Sequence, residues 1–599
     1  MTEAEAELDP ARPRGLRSHY CGRLGVGDVG DVATVCGWVA RRREHGEHLA
    51  FLDVRDHTGI VQCVVDGAHE VRSEHVVRVS GTVRLRPEGT TNPALRTGEV
   101  EIGADELEVL AAAEPPPFSL DARVETEEQI RLTYRYIDLR TERLQTNLRL
   151  RARVNEAIRR SMTRQGFVEV ETPLLWTPTP EGAREFAVPS RLQKGRFYVL
   201  PQSPQIAKQL LMVGGIDRYF QIARCMRDED LRADRQFEFT QLDLEASFVT
   251  QSDVRDFVTD AVVEATREVT GEEPPPVHRI TWNEALDLYG TDKPDLRFAM
   301  EIVDLAAAVA TTGFQAFQAP AVRAIRVPGS AKLGRGRLDA LVTRAKDLGA
   351  AGLVWLRAVT GDAGTGARLE SPVAKFLSAG EQEAIIAATA AMAGDLLLVV
   401  AGEREPSCRV LGQLRNELGQ PPVSRLPHRF VWVTDFPLFE GLDEHGAPLA
   451  AHHPFTMPHP DDLHLLESDP LSVRSQSYDL VLNGWELGSG SIRIHRADIQ
   501  KAMFAALGLS PGEIEERFGF LLGAFRYGAP PHGGFAFGID RLAALLAGEE
   551  NIREVIAFPK TQSGSDLMAG SPSPLLKAQL DELGIGLKEA SDPPQASQR

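Results

Sequence analysis

The sequence predicts a multidomain α+β protein, with a β-barrel or β-sandwich at the N-terminus and a smaller α+β domain inserted into a larger one. Three observations predict this fold class. A chain of 599 residues is too long for one hydrophobic core. Short β-branched runs fill the N-terminal part. After them, helices and strands alternate irregularly, and an Ala- and Gly-rich stretch separates two strand-rich parts.

Changes in composition set the predicted domain limits. They give a leader (1–16), a strand-rich domain (17–112), a linker (113–130), the first part of the larger domain (131–296), the inserted domain (297–425), the second part of the larger domain (426–570) and a C-terminal extension (571–599). The leader is acidic and has no apolar core, so we interpret it as disordered and not as a signal peptide.

Four runs predict the strands of the N-terminal domain. They are rich in β-branched residues and are separated by turn residues: 32–43, 49–67, 75–86 and 98–110. This spacing is typical of a small barrel or sandwich. Three consecutive prolines, residues 115–117, cannot continue a helix or a strand, so they predict the linker.

Helical periodicity identifies the first long helix of the larger domain. Its apolar stripe is formed by Leu150, Val154, Ile158 and Met162, and Gly166 is a plausible C-terminal stop. Residues 167–175 then alternate as a strand that ends at Pro173. A second helix is predicted after Ser203 as N-cap, with Pro204 in the first helical position and Gly214 beyond the end.

A change in amino-acid composition predicts the inserted domain. Residues 337–352 read as a helix and the apolar run 353–359 follows it, whereas strand-rich sequence returns at 429–439. An insertion that interrupts a larger domain is the simplest interpretation of this order.

The overall composition excludes several classes of protein. No apolar run reaches the roughly 18 residues of a membrane-spanning helix. The five cysteines are scattered and form no Cys-x-x-Cys pair, which favours a reducing cytoplasm over a disulfide framework or a structural zinc site. The net charge of −19 does not exclude nucleic acid, because binding depends on local basic patches.

A run of alternating charge precedes one predicted strand. In Arg227–Arg235, seven of nine residues are charged. The sequence has no G-x-x-x-x-G-K-[ST] loop, so side chains would have to hold the phosphates of any bound nucleotide. Arginine suits this task because its planar fork matches phosphate oxygens. Arg227 and Arg541 are the candidates, although either could be a surface arginine if taken singly.

Seven segments resemble the bacterial aspartyl-tRNA synthetases, a family of class II aminoacyl-tRNA synthetases. Those at 166–175, 218–245 and 532–548 resemble motifs 1, 2 and 3 of the class, and those at 179–186, 200–211, 451–458 and 478–495 narrow the resemblance to the family. It extends from about Tyr20 to Lys560, and the class I signatures HIGH and KMSKS are absent. It implies an OB-fold anticodon domain, a catalytic domain with an antiparallel sheet, and an inserted domain to which we assign no chemistry.

The resemblance also implies sites for ATP and Mg²⁺. Arg227 and Arg541 match the catalytic arginines. The residues that match the ATP site are Arg227, Asp228, Glu229, Gln236, Glu486, Gly538, Ile539, Asp540 and Arg541. Asp479 and Glu486 match the magnesium ligands, and carboxylate oxygens suit this ion.

Aspartate brings two carboxylates and one ammonium group, so its pocket needs cations at the side chain and anions at the amine. Lys208 and Arg493 match the family's side-chain ligands, and Glu181 and Asp243 match the residues near the amine. The full set implied by the resemblance is Glu181, Ser203, Gln205, Lys208, Arg227, Asp243, His452 and Arg493. Without this context, a histidine such as His452 is more often structural.

For tRNA, the resemblance implies anticodon contacts from Arg43, Phe51, Gln62 and Glu99. An exposed aromatic ring next to cations suits single-stranded bases, although Phe51 alone could equally lie in the barrel core. His45 and Gly89 match relatives that charge both tRNA-Asp and tRNA-Asn. The expected partners are therefore L-aspartate, both tRNAs, a second copy of the chain through motif 1, and indirectly an amidotransferase.

Three residues depart from the family pattern without removing a charged group: Phe237, Ser489 and Ala207. Two alternatives remain open from the sequence. One is an enzyme that charges tRNA-Asp only. The other is an RNA-binding paralogue without catalysis, although such proteins usually lose motif residues that this chain retains. A free-standing enzyme that makes asparagine would have no need for an anticodon domain.

Overall fold

A computed structural model describes residues 13, 15–45, 48–67, 70–121, 123–178, 184–361, 367–419, 421, 426–444 and 446–587. The predicted leader lies almost wholly outside them. The chain divides into two compact units, one of residues 1–146 with 566–570 and the other of residues 147–565 with 571–599. The finer domain limits given above stay a prediction.

The described helices are, in chain order, α1 (Glu128–Thr133), α2 (Arg135–Asp138), α3 (Glu142–Arg164), α4 (Gln205–Val213), α5 (Gln251–Thr270), α6 (Trp282–Tyr289), α7 (Arg335–Asp347), α8 (Ala379–Thr389), α9 (Arg404–Gly419), α10 (Ala497–Ala506), α11 (Pro511–Phe525), α12 (Ile539–Ala547) and α13 (Lys577–Leu583). None of these helices combines the length and apolar composition needed to cross a membrane.

The described strands are β1 (Val32–His45), β2 (Leu49–Asp56), β3 (Gly59–Asp66), β4 (Val76–Leu85), β5 (Val100–Ala111), β6 (Val168–Glu169), β7 (Phe186–Pro189), β8 (Phe197–Leu200), β9 (Arg218–Met226), β10 (Glu238–Ser247), β11 (His278–Thr281), β12 (Val303–Asp304), β13 (Ala321–Val327), β14 (Val354–Thr360), β15 (Ala367–Glu370), β16 (Leu396–Gly402), β17 (Phe430–Thr434), β18 (Phe439–Leu442), β19 (Pro448–Ala450), β20 (Ser477–Leu482), β21 (Trp485–Ile492) and β22 (His532–Gly538).

The first unit contains a closed five-stranded barrel in the order β1-β2-β3-β5-β4. Its interior is filled by every second residue of the strands, as the alternation along β2 shows: Leu52 and Val54 are fully buried, whereas Phe51 and Asp53 face the other side. The barrel is therefore confirmed, and a sandwich is excluded for this segment.

The second unit is built on an eight-stranded sheet in the order β11-β17-β20-β21-β22-β10-β9-β6. Only the outer pairs β11–β17 and β6–β9 are parallel; the central pairs are antiparallel. The core against this sheet contains the predicted stripe of α3, because Val154, Ile158 and Met162 are fully buried. Gly166 follows with φ +82°, as a helix stop requires.

A second sheet of five antiparallel strands, in the order β12-β13-β16-β14-β15, lies within the predicted insertion. Its middle strand β16 is buried on both faces: Leu396 and Leu398 join one apolar cluster with α7 and α9, and Leu397 and Val399 join another with α8. The predicted α+β character of this segment is confirmed.

Two local predictions need correction. The strand expected from Phe167 to its end at Pro173 forms ladder pairs only at Val168 and Glu169, so it is shorter than predicted. Helix α4 begins at Gln205 and its N-cap is Pro204, one residue later than expected. The Ser203 hydroxyl still accepts the Gln205 N–H at 3.2 Å, so it stabilises the first turn.

Candidate active site

A cavity of about 800 Å³ lies in the second unit. Its walls come from α4, the segment between β9 and β10, strands β10, β21 and β22, and the first turn of α12. Most of the predicted substrate-binding residues line it: Ser203, Gln205, Lys208, Arg227, Glu229, Gln236, Asp243, His452, Glu486, Arg493, Gly538, Asp540 and Arg541. The fold thus brings together residues that are far apart in the sequence.

Several buried polar atoms at this cavity have no hydrogen-bond partner among the described residues. Two of them, Asp243 Oδ1 and Asp540 Oδ1, lie in close ion pairs. The other four are Gln205 Nε2, Arg227 Nε, His452 Nδ1 and, next to His452, Asp479 Oδ1. Buried polar groups in folded proteins are nearly always satisfied. Four such atoms around one cavity therefore indicate a site that binds a polar ligand.

Arg227 stands at the base of the charged loop between β9 and β10. Its main-chain N–H donates to the Phe237 carbonyl at 2.8 Å, which closes the loop at its base. The guanidinium carbon lies 5.1 Å from the centre of the Phe239 ring. This packing orients the guanidinium toward the cavity. Arg227 forms no ion pair with an acidic side chain among the residues that the structure describes.

Arg541 projects from the first turn of α12. Its Nη1–H donates to the Glu486 carbonyl at 2.8 Å, and its Nη2 lies 3.1 Å from Asp234 Oδ2 in the charged loop. A Cβ added at Gly538 would meet the Arg541 side chain at 3.7 Å, which is ordinary contact, and Gly538 lines the cavity beside this arginine.

A buried array of alternating charge forms one end of the cavity. Lys208 Nζ lies 3.1 Å from Asp243 Oδ1 and 3.2 Å from Glu245 Oε2, and all three side chains are at most 1 % exposed. Arg493 Nε donates to Glu245 Oε1 at 2.9 Å, and its Nη2 donates to Oε2 at 3.2 Å. Two cations are thus held in fixed positions by two carboxylates.

The pKa values in this array differ in direction. Burial raises the pKa of Asp243 to about 6, although Lys208 opposes the shift. Burial acts in the same sense on Glu245, but Arg493 and Lys208 outweigh it and lower the pKa of that carboxyl. Asp243 is therefore the member of the array whose charge changes nearest to neutral pH.

The two adjacent histidines differ in environment. Burial and the neighbouring Arg493 hold the pKa of His453 well below its usual value, so the neutral ring accepts from Arg493 Nη1 at 2.7 Å. His452, the predicted aspartate contact, packs edge-on against Phe436 and has Nε2 3.9 Å from Asp479 Oδ1. His453 therefore supports Arg493, whereas His452 keeps a free nitrogen at the cavity.

The predicted magnesium ligands are neighbours on the antiparallel pair β20–β21. Burial raises the pKa of Asp479, and the carboxylate of Glu486 adds to this effect. Glu486 Oε2 lies 2.8 Å from Lys293 Nζ. Two carboxylates, one with an unpartnered buried oxygen, fit a divalent cation, which would relieve their repulsion. No cluster of three or more His, Cys, Asp or Glu ligands occurs in the described part of the chain, so phosphate oxygens or water would complete the coordination.

Other predicted ATP contacts have structural partners. Gln236 exchanges two hydrogen bonds with the main chain of Lys560, at 3.2 and 2.8 Å. The Asp540 carboxylate accepts the Thr240 N–H at 2.8 Å and pairs with Arg151 at 2.7 Å, and the Ile539 side chain lies in the core. Any contact of Ile539 or Asp540 with ATP would therefore come from the main chain of these residues.

The remaining predicted site residues lie in the charged loop or outside the described part of the chain. Glu229 pairs with Arg235 at 2.9 Å, and the main chain of Asp228 bonds to that of Arg184 at 3.0 Å. Glu181 lies outside the described residues. Of the three departures, Ser489 lines the cavity and Phe237 packs edge-on against Phe186; nothing in the structure explains Ala207.

Sequence reasoning missed three residues of the site: Glu245, His453 and Lys293. Glu245 could have been found, because it follows Asp243 by two residues on a strand and therefore shares its face. For His453, the resemblance pointed only to the adjacent His452. Lys293 carries no such signal, since it lies outside the seven segments that resemble the family.

On the barrel, three of the four predicted anticodon residues meet on the outer surface. Arg43 Nη2 donates to Gln62 Oε1 at 2.9 Å and pairs with Asp53 at 2.9 Å, and its guanidinium lies 5.8 Å from the Phe51 ring centre. Phe51 is half-buried outside the apolar interior, so it is not a core residue. Glu99 is exposed.

Of the two residues predicted to permit both tRNAs, one lies in a loop and the other at the end of a strand. Gly89 is exposed in the loop after β4 with φ +78° and open space around it. His45 is the last residue of β1 and pairs with Leu49; its side chain lies outside the described part.

A catalytic sheet of antiparallel strands, with arginines at its motif 2 loop and at the start of its motif 3 helix, defines a class II aminoacyl-tRNA synthetase. Comparisons with known proteins agree. Residues 127–562 match the family "tRNA synthetases class II (D, K and N)", and residues 33–110 match "OB-fold nucleic acid binding domain". The predicted fold class is thereby confirmed.

Individual relatives narrow the assignment. The "Aspartate--tRNA(Asp/Asn) ligase" of Moorella thermoacetica is 51 % identical over 95 % of this chain and 96 % of its own length. The "Aspartate--tRNA ligase" of Geobacillus kaustophilus is 48 % identical over 95 % and 99 %. Asparaginyl-tRNA synthetase from Pyrococcus horikoshii shares the fold, with a TM-score of 0.56, 20 % identity and coverage of 91 % and 98 %. The chain belongs to the class II tRNA synthetases of this group and, within them, to the aspartate--tRNA ligase family.

Proposed function

We propose that the protein is an aspartate--tRNA ligase that activates L-aspartate with ATP and charges both tRNA-Asp and tRNA-Asn. The observation that carries the proposal is the buried array in which Asp243 and Glu245 hold Lys208 and Arg493 at one end of the cavity, with Arg227 nearby. Two fixed cations fit the side-chain carboxylate of aspartate, and the ionised Asp243 fits its ammonium group.

The first step requires positioning more than acid–base chemistry. The α-carboxylate of aspartate is already a nucleophile; it forms a bond to the α-phosphorus of ATP while the bond to pyrophosphate breaks. Arg227 stabilises the charge on the α-phosphate, and Arg541 lies across the nucleotide site as a second fixed cation. Their positions are set before the substrates bind, because Phe239, Asp234 and the Glu486 carbonyl hold them.

Asp479 and Glu486 would hold the magnesium ion that accompanies ATP. This ion supplies charge neutralisation for the phosphate oxygens. Glu229 and Gln236 line the same cavity, where they would contact the adenine of ATP.

In the second step, the 3′-hydroxyl of the terminal tRNA ribose attacks the mixed anhydride, which forms the aminoacyl ester and releases AMP. The barrel reads the anticodon through Phe51, Arg43 and Gln62, with Glu99 at the rim; a base stacked on such a ring contributes about 1–3 kcal/mol. His45 and Gly89 lie where relatives that separate the two tRNAs carry other residues, and an uncrowded Gly89 loop supports tolerance of both anticodons.

The enzyme would act in the cytoplasm as a two-fold dimer formed through motif 1. Aspartate placed on tRNA-Asn would then be converted to asparagine by an amidotransferase.

Aminoacylation of purified tRNA-Asp and tRNA-Asn transcripts tests this proposal. We expect both to accept aspartate at comparable rates, and the pair His45→Leu with Gly89→Lys to favour tRNA-Asp. Gly67→Lys is the matched control, because Gly67 is also exposed on a barrel loop at positive φ with open space. A preference for tRNA-Asp above about 10³-fold, or about 4 kcal/mol, would show instead that the enzyme discriminates.

A further inference from the structure

Lys293 is a residue of the cavity to which no role has been assigned. Among the described residues that line the cavity, it is the only one between Asp243 and Ala451. The long stretch that joins the two halves of the catalytic sheet therefore contributes one side chain to the site, and that side chain is a cation.

The segment that carries Lys293 is held in place by buried arginine side chains. Arg297 and Asp295 form an ion pair at 2.7 Å with both side chains 2 % exposed. The guanidinium of Arg415, from α9, is fully buried and donates to the carbonyls of Asp295 and Phe298, each at 2.9 Å. Burying such charges costs free energy unless the geometry is good, so two buried arginines mark a segment whose position is strictly set.

Two glycines allow this close packing. A Cβ at Gly290 would meet the Cys408 carbonyl oxygen at 2.0 Å, and Gly484, at φ +87°, lies against Asp295. The N–H of Lys293 donates to the Thr291 hydroxyl at 3.1 Å. The backbone is therefore fixed while the lysine side chain, 42 % exposed, extends to the cavity wall.

The partner of Lys293 in the described chain is Glu486, with Nζ 2.8 Å from Oε2. Glu486 also accepts Arg541 Nη1 at its carbonyl, so the lysine ammonium lies at the end of the nucleotide site that holds the second arginine and the predicted magnesium carboxylates. A flexible ammonium at such a place suits phosphate oxygens as a point charge.

We propose that Lys293 is a phosphate-binding residue of the nucleotide site, which pairs with Glu486 in the free enzyme and moves to the β- and γ-phosphate oxygens when ATP is bound. This inference rests on the proposed function, since it takes ATP as the nucleotide. Lys293 would stabilise bound ATP and the departing pyrophosphate, and it would keep Glu486 neutralised while the site is empty.

Equilibrium binding by calorimetry, without aspartate and with Mg²⁺ present, tests the proposal on the full-length chain. The probes are an ATP analogue with a non-hydrolysable α–β methylene bridge, and AMP, which lacks the two outer phosphates. For Lys293→Met we expect the Kd of the analogue to rise about 10-fold or more, with the Kd of AMP unchanged. Lys293→Arg should restore most of the loss, and Lys332→Met, at an exposed lysine of the inserted domain that does not line the cavity, should match the parent.

Two results would overturn the role of Lys293. One is a Lys293→Met protein that binds the analogue as the parent does. The other is an equal loss for the analogue and AMP together with a lower melting temperature, which would mark a structural residue. A parent protein that binds the analogue but never exchanges pyrophosphate with aspartate would contradict the proposed function and not Lys293, because the binding measurement requires no reaction.

Discussion

At the scale of single residues, the site depends on how charges are paired and buried. Lys208 and Arg493 are useful to a bound carboxylate because they are already held by Asp243 and Glu245 and need not be ordered during binding. The neutral His453 extends this support, since it accepts from Arg493 without adding charge. The selectivity of the pocket for aspartate therefore depends on the whole buried array of two cations and two carboxylates, and not on one cation.

The raised pKa of Asp243 predicts a pH dependence of substrate binding. The carboxyl titrates at about 6, so it loses its charge as the pH falls through this value, and with the charge it loses its attraction for the substrate ammonium. We expect the KM for aspartate to rise as the pH falls below about 6, approaching ten-fold per unit, while the KM for ATP stays flat.

Asp243→Asn provides the control for this profile. It removes the titrating group and leaves Lys208 paired with Glu245, so the KM for aspartate should be high at every pH and the break near pH 6 should vanish. A break that persists in the variant would assign the titration to a group other than Asp243.

At the scale of elements, the strands β10, β21 and β22 set the spacing of the array. Glu245 lies opposite Gly534 on the neighbouring strand. A Cβ at Gly534 would lie 1.9 Å from Glu245 Oε2 and 2.4 Å from the Leu244 carbonyl oxygen. The absence of a side chain on β22 therefore gives the Glu245 carboxylate the room to reach Arg493 and Lys208.

Gly534→Ala should displace Glu245 and disturb both cations. We expect a higher KM for aspartate and a lower melting temperature, because the buried arginine loses its partner. Gly523→Ala is the matched control: Gly523 lies in α11 with open space for a Cβ, where alanine should stabilise the helix by about 1 kcal/mol. Parental stability and KM in the Gly534 variant would show that Glu245 does not position the array.

At the scale of the whole molecule, local patterns were predictable and tertiary neighbours were not. The barrel strands and the stripe Val154–Ile158–Met162 follow from periodicity, which depends only on the sequence nearby. The strand predicted from Phe167 to Pro173 is too long, because alternation does not reveal where the pairing with a partner strand ends.

The residues of the candidate site were likewise predictable only where a local motif marks them. Arg227, Lys208, Arg493 and Arg541 were found through family motifs, and the fold brings them to one cavity. Lys293 could not be found in this way, because its place depends on the buried Arg297 and Arg415, which hold its segment from within the insertion. Residues of the inserted region thus position a lysine that precedes this region in the sequence, through contacts that have no local signature.

The central claim is that this cavity activates aspartate, and aspartate-dependent ATP–pyrophosphate exchange by the purified full-length chain tests it most directly. We predict exchange with aspartate and none with asparagine, whose neutral amide cannot replace a carboxylate between Lys208 and Arg493. Arg227→Ala should lower the rate by about 100-fold or more at an unchanged melting temperature, because it removes a charge that acts on the transition state. No exchange with aspartate, or a parental rate in the folded Arg227 variant, would contradict the account.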